Sequence, residues 1–321
     1  MRMTFKHLSH TAPSGSAPRV GGLPLAPAAR RGVAGALAVG ALVASLAGCG
    51  NSVEPIERLG RKTKPETGAA SPSASAPAPA SSAPAGAPAT AEQPYRKWGL
   101  KAPVVYAPKP AQKPRLPKAA PGRPTLVDRI PVAPAEKVVF LTFDDGAEKN
   151  PEFLKMAADL KLPIGMFLTD NVASSDYGHF QALRDNGSGS TINNHTLTHP
   201  NLRTLSYAAQ KKEICGQQER LAKRFGAKPT LFRPPFGNYN DDTLRAASEC
   251  GIATVVLWRA SMQINDFQYA EGSALKPGDI ILAHFRGPSE LKGSTEIEMT
   301  TRMLKRIQEQ GYAIGRLEDY L

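Results

Sequence analysis

Two short stretches of the sequence combine residue types that suit hydrolytic metal chemistry. Residues 142–146 read TFDDG and place Asp144 and Asp145 side by side after an apolar run. Residues 193–202 read NNHTLTHPNL and place His195 and His199 four residues apart. On one helical turn both imidazoles would reach one ion. One Asp would complete a site for a metal ion of intermediate softness, with positions open to water. Taken alone, the first stretch also suits a solvated Asp-Gly turn, and the second a polar surface.

Two further stretches carry residues that could pair a carboxylate or move a proton. Residues 232–237 read FRPPFG, and the tandem prolines would stiffen the chain and hold Arg233 in a place suited to a carboxylate. Gly237 lets the backbone approach closely, so that a neighbouring N–H could face an oxyanion. His284 lies near the end of the apolar stretch ILAHF, where it is either a satisfied core residue or a proton donor.

Strand-like and helix-like patterns alternate from Lys137 onward, and they must position these side chains. Helical spacing is strongest at residues 207–225, and residues 241–251 begin with a capping residue and stop on Gly. This alternation predicts a parallel sheet, and without a glycine-rich phosphate loop we favour a barrel-like α/β domain, whose functional groups follow the strands. Seven strands are predicted, at residues 138–143, 164–169, 190–195, 230–235, 253–258, 279–285 and 312–317.

The four stretches, in this order and each at a predicted strand end, resemble the motifs of the NodB-type polysaccharide deacetylases, carbohydrate esterase family 4. The resemblance covers residues 138–321, and HTLTH is its most specific part. It implies a distorted (β/α)7 barrel and a divalent metal, most commonly zinc, held by Asp145, His195 and His199. It also implies that Asp144 is the general base, that Arg233 orients this base, and that His284 is the general acid. It implies that the backbone N–H of Phe236 helps to bind the oxyanion and that Thr196 shapes the second motif.

The region of the family's fourth motif departs from the pattern. Trp258 is present, but residues 259–261 read Arg-Ala-Ser where the family has an acidic residue, and Asp266-Phe267 could be a displaced version of its Asp-Trp pair. Ala147 and Ala283 replace the usual Pro and Leu. A carboxylate partner orients a catalytic histidine and raises its pKa, so this region leaves open whether turnover survives.

The chain before Lys137 has a different composition. Residues 1–137 hold 19 Lys or Arg against 6 Asp or Glu, whereas residues 138–321 hold 21 against 22. The excess positive charge therefore lies outside the predicted domain, which argues against a folded nucleic-acid binder and fits an anionic envelope surface.

Arginines, an apolar stretch and LAGC, ending at Cys49, predict a lipoprotein signal peptide at residues 1–48, with an uncleaved anchor helix as the alternative. Residues 49–137, rich in Pro, Ala and Ser, predict a disordered basic linker.

We therefore expect an exported, monomeric protein anchored to the membrane through lipidated Cys49, with its deacetylase domain at residues 138–321. The expected activity is removal of N-acetyl groups from amino sugars of peptidoglycan or a chitin-like polysaccharide. The alternatives are an O-acetyl esterase using the same residues, and a metal-containing glycan-binding scaffold without turnover. Cys215 and Cys250 are predicted on helices and form either one disulfide or two buried thiols.

Overall fold

The computed structural model describes residues 93–321. The predicted signal peptide, Cys49 and the first part of the predicted linker lie outside the described residues. Among the described residues, no helix is both long and apolar enough to span a membrane.

One mixed sheet forms the centre of the described chain, with strand order β1-β6-β5-β4-β3-β2-β9-β7-β8 and β10 paired to the start of β2. All pairs are parallel except the antiparallel hairpin of β7 and β8. The ten strands of the described residues are Thr125–Val127 (β1), Val138–Asp145 (β2), Ile164–Leu168 (β3), Thr191–Asn194 (β4), Leu231–Phe232 (β5), Thr254–Val256 (β6), Ala260–Met262 (β7), Phe267–Tyr269 (β8), Ile280–His284 (β9) and Ala313–Gly315 (β10).

The predicted α/β class and curled, barrel-type sheet are confirmed. All seven predicted strands are present, as β2 to β6, β9 and β10. The sheet has three more strands than the sequence predicts. Strand β1 lies before the predicted domain, and β7 and β8 are only three residues each, too short to show a clear period in the sequence.

Every described helix of nine or more residues begins at a side-chain cap. Among the longer ones, α2 is capped by Asn150, α5 by Ser206, α6 by Asn240 and α7 by Thr295, each of which accepts a backbone N–H bond of the first turn. The helices of the described residues are Pro94–Lys97 (α1), Pro151–Leu160 (α2), Asp170–Ala173 (α3), Tyr177–Asp185 (α4), Tyr207–Phe225 (α5), Asp241–Glu249 (α6), Glu296–Glu309 (α7) and Leu317–Tyr320 (α8). The two predicted helices are confirmed as α5 and α6.

Strand β2 lies at the centre of the sheet, and its first seven residues are buried because both faces are covered. Phe143 packs outward against Phe153 of α2 and against Phe285. On the opposite face Phe140 packs edge-on against Tyr320 of α8. Covering both faces holds β2 rigidly, and the carboxylates at its end therefore have a fixed position.

The folded region begins before Val138, because residues 94–132 pack along the domain. Trp98 is 7% exposed, and its indole N–H donates to Asp159 of α2. Tyr106 forms a parallel bridge with Ile314 of β10, and β1 pairs in parallel with β6. The sequence predicts a linker here because the segment is rich in Pro and its few apolar residues are too widely spaced to show a period. These apolar residues nevertheless bury against the domain.

A disulfide joins Cys215 of α5 to Cys250 at the end of α6, with their Cα atoms 5.0 Å apart. Of the two alternatives for these cysteines, the disulfide is the one in the structure. It fixes α5 against α6, the helices that follow β4 and β5 along the chain. Both of these strands deliver residues to the site described next.

Candidate active site

The predicted site residues converge at the carboxyl ends of β2, β4, β5 and β9. Asp144 and Asp145 end β2, His195 directly follows β4, Arg233 directly follows β5, and His284 ends β9. The strand register places Asp144 opposite Phe167 on one side and opposite His284 on the other. The parallel sheet thereby gathers at one edge residues that are up to 140 positions apart in the sequence.

A left-handed turn begins at Asp145, the second of the two aspartates. Asp145 has φ +71° and Gly146 has φ +87°. A Cβ at Gly146 would lie 2.9 Å from the Phe180 ring and 3.0 Å from the Ala173 side chain, so only glycine fits at this position. The turn directs the two adjacent carboxylates differently: Asp144 is 2% exposed, whereas the side chain of Asp145 is 20% exposed.

His195 and His199 lie on a loop and not on the helical turn that their spacing suggested. Thr196 and His199 have φ of +74° and +59°, which an α-helix does not allow. Side chains hold the loop: Asn194 Oδ1 accepts the Thr196 N–H (2.8 Å), and Thr196 Oγ1 accepts the His199 N–H (3.1 Å). The loop still brings the two rings together, with centroids 4.9 Å apart.

Asp145, His195 and His199 form a cluster that fits a metal ion. One potential ligand atom from each lies within 4.8 Å of the other two, and Asp145 Oδ1 is 3.6 Å from His195 Nε2 and 3.3 Å from His199 Nε2. That Asp145 oxygen is buried and has no hydrogen-bond partner among the described residues. The Nδ1 of His195 lies 2.7 Å from the Arg233 carbonyl, which can only accept, so Nδ1 carries the proton and Nε2 presents a lone pair to the carboxylate. A lone pair facing an anion is unfavourable unless a cation lies between them, and the two-nitrogen, one-oxygen donor set suits zinc.

Burial and charge set the protonation states of the cluster. Burial lowers the pKa of His195 to about 4 and that of His199 to about 4, so both rings are neutral ligands at pH 7. Burial raises the pKa of Asp145, but His284, His195 and His199 lower it further than burial raises it, and its net pKa lies below the ordinary value. The three groups are therefore in the forms that bind a metal.

Arg233 holds the Asp144 carboxylate in place next to the cluster. Its side chain is 0% exposed, and Nη1 donates to Asp144 Oδ1 (2.7 Å) and to Thr142 Oγ1 (2.9 Å). Its Nε and Nη2 donate to the carbonyls of Val256 and Leu257. A guanidinium bonded on all sides has no alternative orientation, and it holds Asp144 as an ionised carboxylate.

Phe236 and His284 border the same edge. Phe236 has φ +59°, and its ring packs edge-on against His199 with centroids 4.6 Å apart. A Cβ on the neighbouring Gly237 would lie 3.0 Å from the Trp258 ring, so the close approach that this glycine permits is to that ring. His284 is 6% exposed, and it lies opposite Asp144 in the register of β2 and β9.

The chain is similar to proteins of one family. The sequence profile of the polysaccharide deacetylase family matches residues 132–255. An uncharacterized protein of Streptomyces coelicolor is 44% identical over 200 residues, which cover 62% of this chain and 78% of the relative. The chain belongs to the polysaccharide deacetylase family.

Other relatives in this family have named activities. A peptidoglycan-N-acetylglucosamine deacetylase of Bacillus cereus is 27% identical over 197 residues, covering 58% of this chain and 89% of the relative. The crystal structure of the Bc1960 peptidoglycan N-acetylglucosamine deacetylase superposes with a TM-score of 0.51 at 21% identity, over 61% of this chain and 92% of that chain, and it supports the fold alone. The prediction that the protein is a polysaccharide deacetylase, a hydrolase acting on carbon–nitrogen bonds other than peptide bonds, is confirmed at the level of the family.

In this polysaccharide deacetylase, both carboxylate oxygens of Asp266, the candidate for the displaced acidic partner, are bonded to other groups. Its Oδ2 pairs with Arg306 Nη2 of α7 (2.8 Å), its Oδ1 accepts the Phe267 N–H (2.8 Å), and its side chain is 54% exposed. The turn of the β7–β8 hairpin, closed by a bond from Gln263 N–H to the Asp266 carbonyl, directs the carboxylate to the outer surface. Ser261 is buried on β7, opposite Leu282 of β9, and accepts a bond from the Gln263 amide.

Two positioning residues of the deacetylase were not found from the sequence. Thr142 Oγ1 accepts from Arg233 and donates to the Ile281 carbonyl (2.7 Å), so it links the arginine to β9. Asn194 anchors the histidine loop to α5 through bonds from its Nδ2 to the Ile214 carbonyl and to Gln218. Both are polar residues within predicted strands, next to the motif residues, and that position is the only signal that could have identified them.

Proposed function

We propose that the protein is a metal-dependent hydrolase that removes N-acetyl groups from amino-sugar units of peptidoglycan or another surface polysaccharide. The observation that carries the proposal is the convergence of Asp145, His195 and His199 beside an Asp144 that Arg233 holds in place. Two neutral imidazoles and one carboxylate fit zinc, the metal we propose. When bound there, such an ion lowers the pKa of a water molecule towards about 7 and polarises the acetyl carbonyl.

The residues around the cluster supply the proton transfers. Asp144 is ionised by its bond to Arg233 and acts as the general base that accepts a proton from the attacking water. His284, beside Asp144 in the strand register, acts as the general acid that protonates the departing amine. The backbone N–H of Phe236 helps to bind the oxyanion, and the Phe236 ring limits the tilt of His199.

An O-acetyl esterase is the second candidate, and the position of Asp266 favours testing it. An amine leaves only when it is protonated, so amide hydrolysis depends on a well-tuned general acid, whereas an alcohol leaves an ester more easily. The Asp266 carboxylate bonds to Arg306 Nη2 and to the Phe267 N–H, and its side chain is 54% exposed, whereas His284 is buried. If this weakens the acid, amide turnover falls more than ester turnover.

Acetate release from three polymers tests the proposal. The zinc-loaded protein is incubated with N-acetylglucosamine oligomers, peptidoglycan and acetylated xylan, and acetate is measured against Asp144→Asn as the inactive control. Release from the amino-sugar substrates supports the N-deacetylase, and release from xylan alone selects the esterase. No release from any of the three by fully metallated protein favours the scaffold alternative.

Elemental analysis tests the metal ligands separately from activity. His199→Ala removes one of the three ligand atoms, so the purified variant is expected to lose most of its zinc, and Asp266→Asn is expected to keep a full equivalent. Full zinc occupancy in His199→Ala would refute the proposed ligand set, whatever the protein hydrolyses.

We also propose that the enzyme acts at the outer face of the cell membrane, anchored through lipidated Cys49 after removal of residues 1–48. The support is the order of arginines, apolar stretch and LAGC in the sequence. Detergent phase partitioning compares the wild type with Cys49→Ala. The wild type is expected in the detergent phase and the variant in the aqueous phase, and identical partitioning would contradict the anchor.

A further inference from the structure

The first two turns of α7 hold two polar side chains that are buried without partners among the described residues. Glu296 is 1% exposed, and neither of its carboxylate oxygens has a hydrogen-bond partner among the described residues. Thr300 is 0% exposed, and its hydroxyl likewise has no partner there. The two residues are four apart, so their side chains lie on the same face of the helix. Three oxygen atoms are therefore directed into the protein interior at one place.

A second carboxylate lies close to this place. Glu148 follows the Asp145–Gly146 turn, and its backbone N–H donates to the Phe285 carbonyl (3.0 Å). Its Oε2 lies against Gly287, where a Cβ would come within 2.2 Å of that oxygen. Glu148 is also the one neighbour whose charge raises the pKa of Glu296, in addition to the larger effect of burial. The two carboxylates therefore repel each other when both are ionised.

Glu148 interacts electrostatically with Lys149 and accepts its backbone N–H (3.1 Å), but no cation of the described residues bonds to Glu296. The Lys149 ammonium donates to the carbonyls of Ala147 and Val172, and the Arg286 guanidinium lies 4.0 Å from the exposed Glu290. The positive end of the α7 dipole favours a charged carboxylate at Glu296, but it does not satisfy the carboxylate oxygens. A buried carboxylate without a partner, as Glu296 is, needs either a bound cation or a proton.

We propose that Glu148, Glu296 and Thr300 form a second cation site, selective for a hard divalent ion of the calcium class. All three side chains offer oxygen and none offers nitrogen or sulfur, which is the donor chemistry of calcium and the opposite of the histidine-rich cluster. Glu148 is only partly buried and gives an ion a route from solvent. Water and backbone carbonyls complete the coordination, as they commonly do for this ion.

Such an ion would connect α7 to two segments next to the candidate active site. Glu148 belongs to the loop after β2, which ends with Asp144 and Asp145, and it is bonded to Phe285, which directly follows His284. Glu296 and Thr300 belong to α7, which packs against α2 in the outer layer. Occupancy of the site would therefore stiffen the strand ends that carry the base and the acid. The inference does not depend on the proposed deacetylase activity.

Equilibrium dialysis of the full-length zinc-loaded protein against calcium tests the site, with thermal unfolding as a second readout. We expect one calcium per chain and a calcium-dependent rise in Tm. Glu296→Gln and, separately, Glu148→Gln are each expected to weaken calcium binding about tenfold or more and to abolish the rise in Tm. Glu290→Gln, the same substitution on an exposed residue of the neighbouring loop, is the matched control and is expected to bind as the wild type does. His199→Ala, which disrupts the histidine cluster, is also expected to keep its calcium.

Three results would overturn the inference. The first is that the wild type binds no stoichiometric calcium and that Glu296→Gln is more stable than the wild type. This result would show that a proton neutralises the Glu296 carboxylate. The second is calcium binding that survives both glutamine variants, and the third is binding that disappears in His199→Ala. Because two single variants are used, failure of one to fold leaves the other to decide.

Discussion

The two sides of the candidate active site are built differently. On the side formed by β2, β4 and β5, Asp144, His195 and Arg233 are at most 2% exposed, and each is bonded to backbone or to a buried polar group. On the side formed by the β7–β8 hairpin, Asp266 is 54% exposed and Arg306, its ion-pair partner, is 46% exposed. The first side holds its charges in fixed positions, and the second holds them at the surface.

This contrast indicates where the catalytic geometry is determined. A buried charge bonded on all sides cannot move without a large loss of free energy, so its position is as precise as the core around it. An exposed ion pair contributes little and adapts readily. We therefore expect large effects from substitutions on the metal side of the site and small effects from substitutions in the hairpin.

Asp144→Asn is expected to have the largest effect. An amide cannot accept the proton of the attacking water, so kcat should fall by about 10² to 10⁴, while the zinc content stays near one equivalent because Asp145 and the histidines remain. Acetate release and elemental analysis on the same preparation check both statements. An unchanged kcat would show that Asp144 is not the base, and loss of zinc would show that Asp144 contributes to the metal site.

Arg233→Gln is expected to destabilise the fold by about 3–5 kcal/mol, because it leaves the Asp144 carboxylate buried without its cation. The glutamine also cannot replace the bonds to Thr142 and to the carbonyls of Val256 and Leu257. Urea unfolding of the variant and of the surface control Arg306→Gln measures the difference. A similar loss in both variants would contradict the contrast between the two sides.

The metal-free protein is expected to lose stability in acid through its buried histidines. The folded-state pKa values of His195 and His199, about 4, lie below the unfolded value of about 6.5, so the unfolded chain binds the extra protons first. The stabilisation is fully present above about pH 6.5 and is lost as the pH falls towards 4, by roughly 1–3 kcal/mol for each ring.

Urea unfolding in the presence of a chelator, at several pH values between 7 and 4.5, measures this slope. His199→Gln removes one of the titrating rings and should flatten the slope, whereas Asp266→Asn should leave it unchanged. A slope that is equal in the wild type and in His199→Gln would show that these rings do not couple folding to pH.

The seven strands could be predicted because the apolar period is a local signal, and the order of the motifs predicted which side chains lie at the strand ends. Prediction failed where side chains or short segments determine the structure. Asn194 and Thr196 bend the chain so that the two histidines meet on a loop, which their spacing of four does not reveal. Residues 94–132 carry few apolar side chains, yet Trp98 and β1 bury against the domain, a tertiary effect that composition does not encode.

The fourth-motif region shows the same limit, because a position in the sequence does not give a direction in space. Asp266 precedes an aromatic residue as the family pattern suggests, but the two-residue turn between Gln263 and Asp266 directs its side chain away from the sheet edge. Buried Glu296 and Thr300 carried no signal at all, since a glutamate in the first turn of a helix is usually exposed and stabilised by the dipole.

Asp266→Asn is expected to have the smallest effect. The ion pair with Arg306 is solvent-exposed on both sides, so its loss should cost at most about 1 kcal/mol, and the asparagine can still accept the Phe267 N–H. The kcat for acetate release and its dependence on pH should match the wild type within about twofold, because both carboxylate oxygens are bonded to other groups, Arg306 and the Phe267 N–H. Pairing the variant with Arg306→Gln in a double-mutant cycle isolates the surface interaction. A tenfold fall in kcat with a displaced acid limb of the pH profile would show instead that the hairpin turns inward during turnover and that Asp266 tunes the general acid.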